Sequence, residues 1–229
     1  MRFTWRTEWL HWLLLAAMFA LAAAAWSTAP ARIPMHWNLA GEVDRYGGRF
    51  EGLLAIPLLA LAIYVLMIFV PRLDPGRANY AAFGPAYATL RMLILAVMVA
   101  IYGLVHLWIR GVHVRIGVWV PLIVGVLFIV MGNLLGKVRP NWFVGIRTPW
   151  TLSSKAAWMG THRAGRWVFI LMGLLMMLCA ALPATWFVWT MAGAGIVGVS
   201  GLVVYSYVLW RKDPDKTPPA GTLPAEDGS

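Results

Sequence analysis

The sequence is poor in cysteine, in charge and in known catalytic motifs. Its one cysteine, Cys179, excludes an internal disulfide framework. Charged residues are 12% of the 229 positions, against about 25% in a typical soluble domain. The chain contains no HExxH, GxSxG or Walker-type sequence. These absences argue against a disulfide-stapled secreted domain and leave no signature of a hydrolase or nucleotide-binding enzyme.

Long apolar runs dominate what is present. The chain is 61% hydrophobic, and six segments approach or exceed the roughly 20 apolar residues that span a bilayer as a helix. They are approximately Trp9–Ser27, Leu53–Val70, Tyr87–Ile109, Ile116–Leu135, Trp167–Leu182 and Ala184–Trp210. Pro57 and Pro121 are expected near first helical turns, where proline costs little. The sequence therefore predicts an all-α, polytopic membrane bundle whose first helix is a retained signal anchor.

The distribution of Lys and Arg predicts the orientation of this bundle, because cytoplasmic loops are enriched in cations. With the N-terminus in the cytoplasm, thirteen cations fall inside and five outside, and Arg91 lies within the third segment. The inside set is Arg2, Arg6, Arg72, Arg77, Lys137, Arg139, Arg147, Lys155, Arg163, Arg166, Arg211, Lys212 and Lys216; the outside set is Arg32, Arg45, Arg49, Arg110 and Arg115. We therefore expect both termini to be cytoplasmic. The net charge of +10 then reflects topology and anionic lipid, and no direct nucleic-acid binding is expected.

The outer loop, residues 29–52, has more turn residues and balanced charges than a simple linker needs. We expect a small extracellular cap with short extended pieces, and a structural role, peptide capture and a metal site are the alternatives. His36, Glu42 and Asp44 are chemically competent metal ligands, but their irregular spacing is weak support, so no metal is assigned. The candidate ligand- or peptide-binding residues are His36, Asn38, Gly41, Asp44 and Gly47.

The inner loop, residues 136–166, carries six cations and no Asp or Glu. Thr151, Ser153 and Ser154 are candidate N-caps for a helix that starts near Lys155. Such a basic, tryptophan-bearing loop suits docking to an anionic leaflet or to a protein partner. Catalysis is the weaker alternative, since acid–base chemistry would depend on His162 without a nearby carboxylate in sequence. The candidate partner- or lipid-binding residues are Asn133, Lys137, Arg139, Asn141, Arg147, Pro149, Trp150, Trp158, His162 and Arg163.

Few ionisable residues lie in or beside the apolar segments. Glu8 and His11 stand at the entrance of the first segment, and His106 lies near the outer end of the third. Ionisable groups at membrane depth are functional candidates by default. A proton relay would need more such partners than the sequence provides.

Both polar loops resemble the SdpI family of bacterial membrane proteins. The inner match runs from Gly132-Asn133 through Lys137, Arg139 and Asn141 to a GIRTPWTLSS run and the Trp158…His162-Arg163 group, and the outer match is PxHWNxxGxxDxYG from Pro34 to Gly47. The resemblance implies a bacterial inner-membrane protein. It also implies immunity to a secreted toxin peptide and retention of a cytoplasmic transcriptional repressor at the membrane. It implies neither catalysis nor a cofactor.

Three regions are predicted from these patterns. Residues 1–85 form an N-terminal region with two transmembrane helices and the extracellular loop, 86–210 an SdpI-like four-helix region, and 211–229 a disordered tail. Membrane lipid is an expected partner. The alternative function is a membrane enzyme or small-solute transporter that uses the polar loops as its site.

Overall fold

The structure, a computed structural model, describes residues 4–38 and 40–217. Seven α-helices and one β-hairpin make up this described part of the chain. The elements are α1 (Trp5–Ala25), β1 (Ile33–Trp37), β2 (Val43–Gly47), α2 (Arg49–Leu73), α3 (Tyr80–Ile109), α4 (Ile116–Leu135), α5 (Pro149–Leu152), α6 (Lys155–Cys179) and α7 (Ala184–Lys212). A 3₁₀ turn, Arg77–Asn79, precedes α3. Within these residues, six helices are long and apolar enough to cross a membrane, which confirms the predicted bundle.

The helices form a bundle with two polar ends. The "hairpin end" comprises β1, β2, the α3–α4 connection (110–115) and the α6–α7 turn (180–183). The "loop end" comprises the α2–α3 connection (74–79), residues 136–154 and residues 213–217. The predicted candidate loops therefore lie at opposite ends of the six long helices.

Helix α6 is the largest departure from the predicted segments. The sequence places a basic surface helix near Lys155 and a separate transmembrane segment from Trp167, whereas the structure has one continuous helix, Lys155–Cys179. Its first turns carry Lys155, Arg163 and Arg166. Because these turns are polar, the hydropathy pattern did not show that they continue into the apolar part of the same helix. Residues 155–166 of the predicted inner loop therefore form the start of a long apolar helix.

Proline also behaves differently from expectation in α2. Because that helix starts at Arg49, Pro57 lies in its interior, as does Pro71. A helical proline lacks the N–H that would bond the carbonyl four residues earlier. Tyrosines of α3 supply both missing donors: the Tyr102 hydroxyl donates to the Leu53 carbonyl at 2.9 Å, and the Tyr87 hydroxyl to Met67 at 2.6 Å. The α2–α3 interface thus satisfies the two backbone groups that the prolines free.

Glycines set the contact between α4 and α6. A β-carbon on Gly173 would lie 2.5 Å from the Gly125 carbonyl oxygen, and one on Gly125 would lie 2.8 Å from that of Gly173. A β-carbon on Gly132 would similarly meet the Arg166 carbonyl at 2.7 Å. Small residues let transmembrane helices approach until their backbones touch. We call residues 136–166, the predicted inner loop, the cationic loop. The contact holds α4, which precedes this loop, against α6, which contains its second part.

Candidate functional site

A capped double turn leads into α6 at the loop end. Thr148 and Thr151 form a capping box around α5, with Pro149 at its first position, and Thr148 Oγ lies 3.0 Å from Ser206 Oγ on α7. Ser154 caps α6 by accepting from the Ala157 N–H at 2.9 Å, as one of the sequence candidates predicted. These contacts tie the turn to the helices on both sides.

The predicted tail begins as ordered structure. Helix α7 continues through Lys212, and the Ser154 hydroxyl donates to the carboxylate of Asp213. The Thr217 N–H bonds the Ser153 carbonyl at 3.0 Å. The seven residues from 211 are thus part of the loop end, while 218–229 lie outside the described residues. The Ser154 hydrogen bond holds the pKa of the Asp213 carboxyl below its ordinary value.

Asn141 shapes the first half of the cationic loop. Its amide donates to the carbonyls of Arg139 and Val144, both at 2.8 Å, and its oxygen accepts from the N–H groups of Phe143 at 2.9 Å and Val144 at 2.6 Å. All four hydrogen-bonding positions of the side chain are therefore used. The side chain is buried, so Asn141 is a scaffold of the turn rather than a contact for a partner.

His162 is also a scaffold residue. The Ile146 N–H donates to Nε2 at 3.0 Å, so Nδ1 carries the proton and donates to the Trp158 carbonyl at 2.8 Å. The ring stacks on buried Trp158 at 4.2 Å, and the Trp158 indole N–H donates to the Val138 carbonyl. Gly145, at φ +119°, passes so close that a β-carbon would overlap His162 Nε2. Both ring nitrogens are committed to structure, which argues against the acid–base alternative.

Three of the ten candidate loop residues, Asn141, Trp158 and His162, are therefore removed from the surface by burial. Their spacing identified the motif, but it did not predict which of its side chains are buried inside the loop and which are exposed to solvent. The other seven are exposed or half-buried: Asn133, Lys137, Arg139, Arg147, Pro149, Trp150 and Arg163. They form the available face of the loop.

Cations cover that face. Lys137, Arg147, Lys155 and Arg163 are exposed, as is Arg166, which stacks over Trp167 at 5.1 Å. Among the described residues, no carboxylate lies within 4.0 Å of any cation of the loop. The surface is therefore positive and suits an anionic partner or leaflet.

Asp74 is a loop-end residue that sequence reasoning missed. It is 1% exposed and accepts from the Tyr80 hydroxyl at 2.8 Å, from the Gly76 N–H at 2.6 Å and from the Trp142 N–H at 3.0 Å. The Asn79 amide adds a bond to the Pro140 carbonyl at 2.7 Å. The N-terminal helices are thereby fastened to the cationic loop. An acid directly after an apolar segment was the available signal, but its partner lies 68 residues away.

The hairpin end is the predicted cap with extended pieces. Ile33 is buried between the end of α1, the start of α2 and the end of α3. Strand β1 pairs antiparallel with β2. The turn closes where the Asn38 side chain accepts from the Glu42 N–H at 3.0 Å and Gly41 adopts φ +81°. The loop between α1 and α2 is therefore a folded hairpin that packs on the helices, as predicted for the cap.

His36 and Asp44 face each other across the hairpin, with Nδ1 2.7 Å from Oδ1. Arg45 pairs with Glu51 at 3.0 Å, and both pairs are largely exposed. No three His, Cys, Asp or Glu side chains of the described residues come together. Two carboxylates of the cap, Asp44 and Glu51, are thus each paired with a basic side chain.

A cavity of about 540 Å³ opens beside the hairpin. It brings together three of the five candidate residues, His36, Asn38 and Gly41, but not Asp44 or Gly47. Its other walls come from the start of α4 with Arg115 before it, from the α6–α7 turn, and from the start of α7, which includes Val188. The sequence did not predict these walls, because they lie about 75 and 150 positions from the hairpin. We call this cavity the hairpin groove.

A buried ionic cluster joins α1, α2 and α3. Arg91 donates to both oxygens of Glu8, at 2.8 and 2.9 Å, and the Tyr64 hydroxyl donates to Glu8 at 2.9 Å. His11 stacks on Tyr64 at 5.2 Å, with Nδ1 3.5 Å from the Glu8 carboxylate. Glu8 and Arg91 are almost fully buried. The sequence had placed Glu8 and His11 at the entrance of the first segment and Arg91 within the third, whereas the structure brings them together so that their charges neutralise one another.

Comparison with known proteins agrees with this arrangement. Residues 137–206, from the cationic loop to the α7 serine that Thr148 touches, match the sequence model of the SdpI/YfhL protein family. This region is similar to that family. Residues 13–61, which include the hairpin and its flanking helices, match a second family, described as a domain of unknown function (DUF1648). The SdpI resemblance predicted from the two loops is thus confirmed.

The similarity extends to a full-length relative. The Immunity protein SdpI of Bacillus subtilis (strain 168) is 22% identical over 206 residues, which cover 87% of this chain and 94% of the relative. No solved structure matches the chain. The chain is a multi-pass membrane protein that resembles an SdpI immunity protein across both of its polar ends.

Proposed function

We propose that this protein resides in a bacterial plasma membrane and protects the cell against a secreted peptide toxin. The observation that carries the proposal is the end-to-end similarity to an immunity protein, which spans the hairpin end, the loop end and the helices between them. The Lys and Arg asymmetry favours the hairpin end outside, where a secreted peptide arrives, and the loop end in the cytoplasm.

The protein acts by binding rather than by catalysis. Both ring nitrogens of His162, the acid–base candidate of the cytoplasmic side, are bonded to backbone groups. We propose that the positive face of the cationic loop docks a cytoplasmic partner, a transcriptional repressor being the partner that the family resemblance implies. Signal transfer would require a coupling free energy between the two ends, typically about 1–3 kcal/mol.

Survival of a sensitive bacterium tests the immunity proposal. Cells that express the protein are challenged with a panel of purified secreted peptide toxins, and viable counts are compared with those of cells that express Asp44→Ala or Arg147→Ala. We expect wild-type protein to protect against a member of the panel. Asp44→Ala, which loses the His36 pair, should reduce protection, while Arg147→Ala should affect partner recruitment more than survival. Absence of protection by wild type against every peptide would overturn the proposal.

Orientation is tested separately by cysteine labelling. In a Cys179→Ser background, Asp44→Cys and Lys155→Cys place single exposed thiols at opposite ends. We expect a membrane-impermeant maleimide to label Asp44→Cys in intact cells and Lys155→Cys only after permeabilisation. The reverse pattern would place the cationic loop outside and refute the proposed topology.

A further inference from the structure

The hairpin groove runs along one edge of strand β1. Met35, His36, Trp37 and Asn38 all line it, while no residue of β2 does. Successive side chains of a strand point to opposite faces, so a cavity lined by four consecutive residues lies beside the edge of the strand. The sheet of the described residues has two strands, so β1 has its one hydrogen-bonded neighbour on the far side.

Such an edge presents backbone N–H and C=O groups to whatever occupies the groove. An unpaired edge is a template on which another extended chain adds a strand. Residues 35–38, the last three of β1 and the one that follows it, correspond to about 13 Å of extended chain. The groove therefore has the length for about four residues of an extended peptide.

The opposite wall selects for apolar side chains and for one negative charge. Val118 and Pro121 of α4 and Phe187 and Val188 of α7 face the strand across the groove. The one charged residue among its lining is Arg115, which is exposed and lies within 4.0 Å of no carboxylate of the described residues. A carboxylate on the occupant would find its counter-charge there.

We propose that the hairpin groove binds an extended, largely apolar peptide segment, which pairs with β1 as a third strand and places a carboxylate beside Arg115. This inference rests on the proposed function, since it names the chemistry of the peptide recognised at the hairpin end. A lipid chain also fits an apolar wall, but it makes no use of a strand edge, so the edge favours a peptide.

The probe is a library of random decapeptides with free C-termini, selected on the protein in lipid nanodiscs and then measured singly by fluorescence anisotropy. Val188→Trp fills the groove, and its control is Ile196→Trp, two turns farther along α7 on an exposed face. Arg115→Glu reverses the charge, and its control is Arg110→Glu, an exposed arginine at the same end that does not line the groove.

We expect enriched peptides to be apolar and β-branched. Val188→Trp should weaken their binding at least about tenfold, and Arg115→Glu about three- to tenfold, as expected for an exposed charge pair that is reversed. Both controls should stay within about twofold of wild type. N-methylation of alternate peptide residues should abolish binding in one register and spare it in the other, because only every second N–H of an added strand faces β1.

Three results would overturn the inference. One is that no peptide is enriched over empty nanodiscs. Another is that Val188→Trp binds the selected peptides as wild type does. The third is that both N-methylated registers bind equally. Retention of a phospholipid by wild type but not by Val188→Trp, without peptide enrichment, would assign the groove to lipid.

The survival assay separates this inference from the proposed function. If Val188→Trp cells remain protected, the groove is not the toxin site although immunity stands. If selected peptides bind in the groove while wild type protects against no toxin, the site stands and the immunity role fails.

Discussion

The buried Glu8–Arg91 pair offers the sharpest energetic test of the structure. Arg91→Met leaves the Glu8 carboxylate inside the bundle without its cation. Among the described residues, the Thr7 and Tyr64 hydroxyls still donate to it, and His11 lies 3.5 Å away. Removing one partner of a buried ion pair typically costs about 3–5 kcal/mol, because the remaining charge is uncompensated. In a chain of this size that corresponds to a melting temperature lower by roughly 6–20 °C.

The double variant separates charge compensation from packing. Replacing both members of a buried pair by neutral groups is often close to neutral, so Glu8→Gln combined with Arg91→Met should recover most of the loss. The assay is unfolding in nanodiscs, followed by tryptophan fluorescence, for wild type, both single variants and the double variant. Because each single variant leaves one buried charge uncompensated, the magnitude of the coupling free energy should exceed the cost of either single variant, about 3–5 kcal/mol.

An exposed pair in the same chain provides the control. Arg45 and Glu51 lie 3.0 Å apart, but their side chains are 59% and 44% exposed, so Arg45→Met should cost less than about 1 kcal/mol. Neutral hydrogen bonds between membrane helices average about 0.6 kcal/mol. An Arg91→Met cost near that value, or single-variant losses that simply add in the double variant, would refute the inference that the pair is desolvated.

Three further outcomes are expected. Gly145→Ala should unfold the cationic loop, because the added β-carbon would overlap the buried His162 ring at a backbone φ that favours glycine. The measurement is limited proteolysis, which should cleave residues 136–154 faster in this variant. Gly136→Ala is the control and should not change the cleavage rate, because its β-carbon would meet nothing within 4 Å. Tyr102→Phe should lower the free energy of unfolding by about 1–3 kcal/mol, because the Leu53 carbonyl, which Pro57 cannot bond, then loses its donor. Tyr205→Phe, at an exposed site, is the control and should change the free energy of unfolding little in the same assay. The Ser154 hydroxyl holds the folded-state pKa of Asp213 below its ordinary value of 3.8. The stability that the carboxylate contributes is therefore present above pH 3.8 and is lost as the pH falls through the lower folded pKa. The melting-temperature loss in Asp213→Asn should shrink as the pH is lowered below 3.8, and a constant loss would contradict this account.

Hydropathy and motif chemistry predicted much of this molecule. Six apolar segments became six long helices, and Ser154 became the predicted N-cap of α6. The irregular spacing of Gly, Pro and Trp in the cationic loop indicated a shaped element, and Asn141 and His162 are what shape it. These successes share a cause, since apolar length and local capping depend on residues that are near one another in the chain.

The misassigned positions fail for a common reason as well. The sequence treated Trp158 and His162 as displayed residues, but whether a polar motif side chain faces solvent or its own loop depends on partners such as Ile146 and Val138. Hydropathy placed Pro57 near the first turn of its helix, because the polar residues from Arg49 to Gly52, which begin α2, were assigned to the preceding loop. Polarity alone does not mark where a helix begins when that helix extends beyond the membrane.

The sequence by itself determined that this chain spans a membrane, that its cations favour one face, and that its two polar loops resemble the SdpI family. Only the tertiary structure decided which polar residues neutralise one another and which stay available. The contacts that matter, Glu8 with Arg91, Asp74 with Trp142, and β1 with the starts of α4 and α7, join positions 68 to about 150 residues apart. Periodicity and composition are local quantities, whereas desolvation, hydrogen-bond satisfaction and the walls of a groove depend on which distant helices pack together.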